Sequence, residues 1–284
     1  VLAALGDVVD DIVVRISGAA PAAAIHVGAD TDATIVRRRG GSAANVAAIA
    51  GRLSGAARFL GQVGDDAIAD LLLGELTADG VDVSCVRRHG RTGAIVVLVD
   101  ATGERSFLSD PGSARQLDRP DPAWLGGVEV LHVPLYSLAD EPMATTATTL
   151  IGWAHERGIA VSVDASSVTV LEAFGVPRAL ALLTDLRPQA VFANGDEARL
   201  LGIDAPLGAA ITFVKNGPEP AVVYAPGTAP AVVAALPVDH VGDTTGAGDA
   251  FAAGVLTSAA WPADPAAACA AGHRAAADLL RSRA

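Results

Sequence analysis

Apolar positions along the chain follow two successive rhythms. In the first part, short apolar or β-branched runs at residues 1–5, 12–16 and 57–63 predict strands, the first ending at Gly6-Asp7. The alanine-rich stretch 42–53 predicts a helix entered through the tight pair Gly40-Gly41, and residues 66–77 predict another with Leu71, Leu72 and Leu76 on one face. Residues 17–39 are mixed and polar enough for short strands exposed on one side. Within 93–108, two apolar runs joined by Asp100-Ala-Thr-Gly103 carry a β-hairpin signature, the natural partner of those early strands.

From residue 128 onward the pattern becomes strand, loop, helix. Strands are expected at 128–133, 160–164, 190–193 and 211–214, with helices at 141–157 and 196–201. That alternation indicates βαβ units and a parallel sheet covered on both faces, which binds ligands at the carboxyl ends of its strands. A second hairpin is expected from 222–224 and 231–235 around Pro226-Gly227, then a Gly-rich loop opening a helix within 243–258, and a last helix over 265–281. No repeat or long linker divides the chain, so one α/β domain with a small β appendage is expected.

Composition narrows the function. The 284 residues are 51% hydrophobic and 18% charged, as a globular chain requires, and no apolar run reaches membrane-spanning length. A net charge of −12 repels nucleic acid and anionic lipid, and Arg37-Arg38-Arg39 is too short to reverse it. Neither is therefore an expected partner. Cys85 and Cys269 form no Cys-x-x-Cys pair, the histidines lack metal-ligand spacing, and Val1 opens no cationic secretory leader. A reducing cytoplasm is the expected compartment.

The most informative stretch is Asp243-Thr-Thr-Gly-Ala-Gly-Asp-Ala-Phe251. Gly246 and Gly248 let consecutive amides point into one concavity, and the helix beginning there adds partial positive charge. Asp249 in such an anion site could accept a proton from a substrate hydroxyl, which with the amides makes the equipment of phosphoryl transfer. In isolation the same residues could build a sharp turn and a helix cap. No Gly-Lys pair exists for a Walker A loop, no His-Arg-Asp loop is present, and Ser42 reads as an ordinary helix-start residue.

The full 243–251 string, with Gly40-Gly41-Ser-Ala-Ala-Asn45 upstream, resembles the two signatures of the ribokinase-like carbohydrate kinases, the PfkB family, and the resemblance covers essentially the whole chain. It implies a ribokinase-like α/β fold: a mostly parallel central sheet flanked by helices on both faces, one domain over 1–284, and a small β-sheet lid from about 12–39 and 86–109. It implies that Gly246, Ala247 and Gly248 form the anion hole, that Asp249 is the catalytic base, and that Asp11, Gly40, Gly41 and Asn45 bind substrate. Asp10 stands beside Asp11 as a rival. The string Gly61-Gln-Val-Gly-Asp65 is similar to a family motif with a structural role.

For the nucleotide, the resemblance implies Asn194, Glu197, Lys215 and Gly217, with Gly246 and Gly248, and Glu197 reaching magnesium through water. Asn194-Gly-Asp-Glu197 is equally a helix capping box, and Lys215 could as well be solvated. Pro220 replaces the second glycine usual beside the nucleotide. Asp243 and Thr245 correspond to residues that hold a monovalent cation, which opens potassium activation. Arg105 could read an anionic sugar or face solvent. The expected activity is ATP- and Mg2+-dependent phosphorylation of a hydroxymethyl group on a sugar or sugar-like molecule, with homodimerisation through the lid. The alternatives are a nucleoside kinase and a silent sugar or nucleotide sensor.

Overall fold

On β1 (Leu2–Leu5), Leu2 and Ala4 face one hydrophobic cluster while Ala3 and Leu5 face another. This is the period-two consequence of a strand covered on both faces. The computed structural model describes residues 1–16, 25, 28–100, 105–239, 241 and 243–283. In it β1 lies between β4 (Ala57–Leu60) and β10 (Val130–Pro134), all parallel. Outward on one side follow β11 (Ala160–Asp164), β12 (Ala190–Asn194) and β13 (Ile211–Asn216), also parallel, then the antiparallel β14 (Glu219–Tyr224) and β15 (Ala231–Val233). On the other side β6 (Val81–Asp82) completes a nine-stranded sheet.

Helices cover both faces. One cluster takes α1 (Ser42–Ser54), α2 (Ala67–Ala78), α7 (Ala247–Leu256) and α8 (Pro265–Arg281). The other takes α3 (Met143–Glu156), α4 (Val168–Phe174), α5 (Val176–Asp185) and α6 (Gly195–Leu201). A separate four-stranded sheet, in the order β3-β2-β8-β9, is built from β2 (Val9–Ile16), β3 (Ala33–Gly40), β8 (Ala94–Val99) and β9 (Arg105–Asp110).

Several sequence expectations need correction. The run 57–63 is two strands, because the chain leaves the main sheet at Gly61 and Gln62–Val63, as β5, pairs with β7 (Arg87–Arg88). Residues 86–93 therefore lie outside the four-stranded sheet, which begins at Val9 and resumes at Ala94. Leu71 is 49% exposed while Leu72 and Leu76, four apart, are buried, as helical spacing demands. Helices α4 and α5 have no counterpart among the expected elements, since the β-branched Val168-Thr-Val170 start hides a helix capped by Ser167. The turn expected at 100–103 falls on residues 101–104, which lie outside the described ones, as do 17–24, 26 and 27 of the polar stretch.

Candidate active site

The catalytic candidate sits where α7 begins. Phe251, two residues beyond Asp249, packs edge-on against Phe192 (6.2 Å) and Phe213 (6.4 Å), which stack on each other at 5.1 Å. That aromatic group pins the helix start to β12 and β13. Behind it, Gly254 and Gly272 let α7 and α8 approach until a Cβ on Gly254 would lie 2.7 Å from that of Ala275. Gly246 turns the entry with a φ of 76°.

Asp249 is joined to the start of α1 from more than two hundred residues away. Ser42 Oγ donates to its Oδ1 at 2.7 Å and Asn45 Nδ2 to its Oδ2 at 2.9 Å. Burial, reinforced by the Asp164 charge, pushes its carboxyl up to about 6 against those two donors and Lys215. Among the described residues no acceptor engages the N–H groups of Gly246, Gly248 or Asp249. The Ala247 amide, expected in the same cradle, instead donates to Thr244 O at 3.1 Å and closes the entry turn. Among the described residues these three amides at a helix N-terminus are donors that an anion could engage.

The other signature supplies the opposite wall. Strand β3 ends at Gly40, where a Cβ would fall inside the Asp11 carboxylate, and Gly41 adopts a φ of 96° with its missing Cβ aimed at the Asp7 carbonyl. Gly41 can be nothing but glycine, and any side chain on Gly40 would have to displace the Asp11 carboxylate. Asp10 and Asp11 point to opposite faces of β2 and the structure separates their roles: Arg37 binds Asp10 through two nitrogens, whereas Asp11 Oδ1 is buried with no hydrogen-bond partner. Burial, then the charges of Asp7 and Asp10, push the Asp11 carboxyl up to about 6. In the Gly61–Asp65 motif Asp65 is exposed, and its neighbour Asp66 caps α2 and accepts from Thr92.

The nucleotide candidates gather at the carboxyl ends of β11 to β13, where Asn194 and Lys215 are register partners. Lys215, the chain's only lysine, is not solvated. Its side chain is 14% exposed and its Nζ donates to Asp164 Oδ2 at 2.8 Å, 3.2 Å from where a Cβ on Gly248 would lie. Burial opposes its charge, but Asp164, Glu197 and Asp249 outweigh that and raise its pKa. Asn194 and Glu197 form the reciprocal capping box: Asn194 Oδ1 accepts from the Asp196 and Glu197 amides, and both Glu197 oxygens accept from Asn194. Gly217 is exposed in the β13–β14 turn, whose Asn216 abuts Gly195.

Asp243 and Thr245 are brought to the anion-site entry, but not as open cation ligands. Arg38 and Arg105 both donate to the Asp243 carboxylate, Arg105 also donates to Thr245 Oγ1 at 2.8 Å, and Arg283 donates to Thr245 O. Although burial works the other way, hydrogen bonds from Thr245 and the two guanidiniums hold the Asp243 carboxyl well below the usual range. This donor set does not fit a bound cation. Arg105, its side chain 31% exposed, thus turns its guanidinium to Asp243 and Thr245. Sequence reasoning missed Ser42, Asp164, Arg38 and Arg283 as members of the site. Asp164 carried the one readable signal, a carboxylate at a strand's end in a parallel sheet.

Comparison with known proteins shows the family of the chain. The pattern of the pfkB family carbohydrate kinases matches residues 7–283. The ATP-dependent ribose-1-phosphate kinase of Halopiger xanaduensis is 36% identical over 83% of this chain and 78% of its own. The fructokinase of Escherichia coli is 32% identical over 80% and 79%. Among solved structures, adenosine kinase from Sinorhizobium meliloti superposes with a TM-score of 0.81 at 23% identity, over 98% of this chain and 93% of its own, a likeness of fold. With its ribokinase-like architecture and both signatures assembled around Asp249, the chain belongs to the pfkB family of carbohydrate kinases.

Proposed function

We propose that this kinase transfers the γ-phosphoryl group of ATP to a hydroxymethyl group of a sugar or sugar-like alcohol. The observation that carries the reading is the Asp249 carboxylate, clamped by Ser42 and Asn45 beside the amides of Gly246 and Gly248, which no acceptor engages among the described residues. Asp249 takes the acceptor's proton as its oxygen bonds to the γ-phosphorus, while the bond from that phosphorus to the β–γ bridging oxygen breaks and ADP leaves. The amides stabilise charge on the migrating group. Asp11, with an orphaned buried oxygen, accepts from a second substrate hydroxyl. Lys215 sets a positive charge beside Gly248 for the departing phosphates.

Magnesium would travel with the nucleotide. Among the described residues no group of three or more His, Cys, Asp or Glu side chains could hold a metal ion, so phosphate and water oxygens supply most ligands. Glu197, both of whose oxygens already accept from Asn194, takes part through water only. The four-stranded sheet serves as the lid that keeps water from the phosphoryl group. Both cysteines are unpaired, which suits a reducing cytoplasm.

A second reading, that the acceptor already carries a phosphate, is favoured by one observation. A cavity of about 590 Å³ beside Asn45 and Gly246 is walled by Arg38, Arg39, Arg52 and Arg283, and the Arg39 Nε is buried without an acceptor. The ribose-1-phosphate kinase relative agrees with it. An ADP-release assay over matched free sugars and sugar phosphates separates the two. In the same assay Asp249→Asn is expected to lower turnover by about 10²- to 10⁴-fold while a thermal shift still registers the substrate. Near-normal turnover in that variant would refute the assigned base.

A further inference from the structure

We propose that Arg38, Arg105 and Arg283 replace a monovalent cation at the entry to the anion site, so that this kinase neither binds nor needs potassium or sodium there. The inference rests on the kinase reading above for its turnover arm, and on geometry alone for its binding arm.

Within the segment 243–245, the Asp243 carboxylate and the Thr245 hydroxyl and carbonyl are oxygens of the kind a potassium ion collects, and each of these already accepts from an N–H. Asp243 Oδ1 accepts from Arg105 Nη2 at 2.8 Å and from the Thr245 amide and hydroxyl at 3.0 and 2.7 Å. Asp243 Oδ2 accepts from Arg38, Thr245 Oγ1 from Arg105 Nη1, and Thr245 O from Arg283. The Asp243 side chain is only 10% exposed, so little room is left for an ion to approach from solvent. A guanidinium has donors and no acceptor and stays charged at any pH the fold survives. Two of them on the Asp243 carboxylate and a third on the Thr245 carbonyl leave local charge positive, and an added cation would meet repulsion as well as occupied ligands.

The three arginines come from distant parts of the chain: Arg38 from β3, Arg105 from β9, and Arg283 from just beyond α8. They thereby tie both edge strands of the lid and the carboxyl end of the chain to the turn that presents the Gly246 to Asp249 amides. They are positioning residues. By holding Asp243 and the Thr245 carbonyl they set the entry turn, much as a bound ion would by collecting the same oxygens.

The first test needs no substrate. Melting temperature is compared in potassium chloride and in tetramethylammonium chloride at equal ionic strength, with agreement within about 1 °C expected; a rise that saturates at millimolar potassium overturns the proposal. The second compares turnover in potassium, sodium and tetramethylammonium chlorides, with differences below about twofold expected and saturable potassium activation above about fivefold overturning it. The third removes an arginine. Arg105→Ala, or Arg283→Ala if the first does not fold, is expected to lose about tenfold in kcat with little change in KM, and to recover several-fold with added guanidinium or potassium. Loss that neither ion restores would assign the arginines a merely structural part and end the proposal.

Discussion

Two neighbouring carboxylates show how much one residue's surroundings decide. Asp10 and Asp11 are indistinguishable in charge and adjacent in sequence, yet β2 turns one to Arg37 and the other to Gly40. Asp249 and Asp11, both pushed up to about 6 from 3.8 mainly by burial, set opposite pH trends for activity and stability. A base must be deprotonated to work, so kcat/KM should climb about tenfold per pH unit below about 6 and level off above it. Stability runs the other way, because both groups hold protons more tightly folded than unfolded. Their contribution is complete below 3.8 and is lost as pH rises through about 6. Urea midpoints measured from pH 4 to 7 should therefore fall less steeply for Asp249→Asn than for the unaltered chain, and equal slopes would contradict the assignment. Asp249 could be picked out as the candidate base from its signature; its contact with Ser42 could not, because a serine at a helix start is as often a cap as a ligand.

Helix α1 shows the same contrast along an element. Its glycines at either end, Gly41 and Gly55, both have positive φ, but only Gly41 is hemmed in. A Cβ there would strike the Asp7 carbonyl, whereas at Gly55 nothing lies within 4 Å. Gly55→Ala should cost about 1–2 kcal/mol of stability and leave turnover intact. Gly41→Ala should cost at least as much, about 1–3 kcal/mol, and also abolish most activity, because α1 carries Ser42 and Asn45 to Asp249. Denaturant unfolding and kcat on the two variants check this, and equal loss of activity would show that α1 is not the positioning element. Alanine-rich α1 and α8 were legible as helices from propensity, and α8 begins and ends where expected, at Pro265 and Arg281. Helix α4 was hidden because burial of Leu171 outweighs the strand preference of its opening residues.

At the scale of the molecule, β3 and β9 are the edges of the small four-stranded sheet among the described residues. Ile35 on β3 and Phe107 and Leu108 on β9 are 60–63% exposed, and an open edge with apolar side chains is what a second copy of the chain would pair with. Light scattering is expected to report a dimer, and Phe107→Asp to shift it to monomer; a monomer at all concentrations in the unaltered chain would dismiss the pairing. By itself the sequence determined the alternating α/β order, the two buried faces and the two glycine signatures, since these follow from local periodicity and from backbone conformations that only glycine adopts. Only the tertiary structure decided that Lys215 is buried against Asp164, that Asn45 holds Asp249, and that three arginines converge on Asp243 and Thr245. Those contacts join residues from 38 to 205 positions apart, and their partners are chosen by how the two sheets and the helix ends meet in space, a choice that no local pattern of side chains encodes.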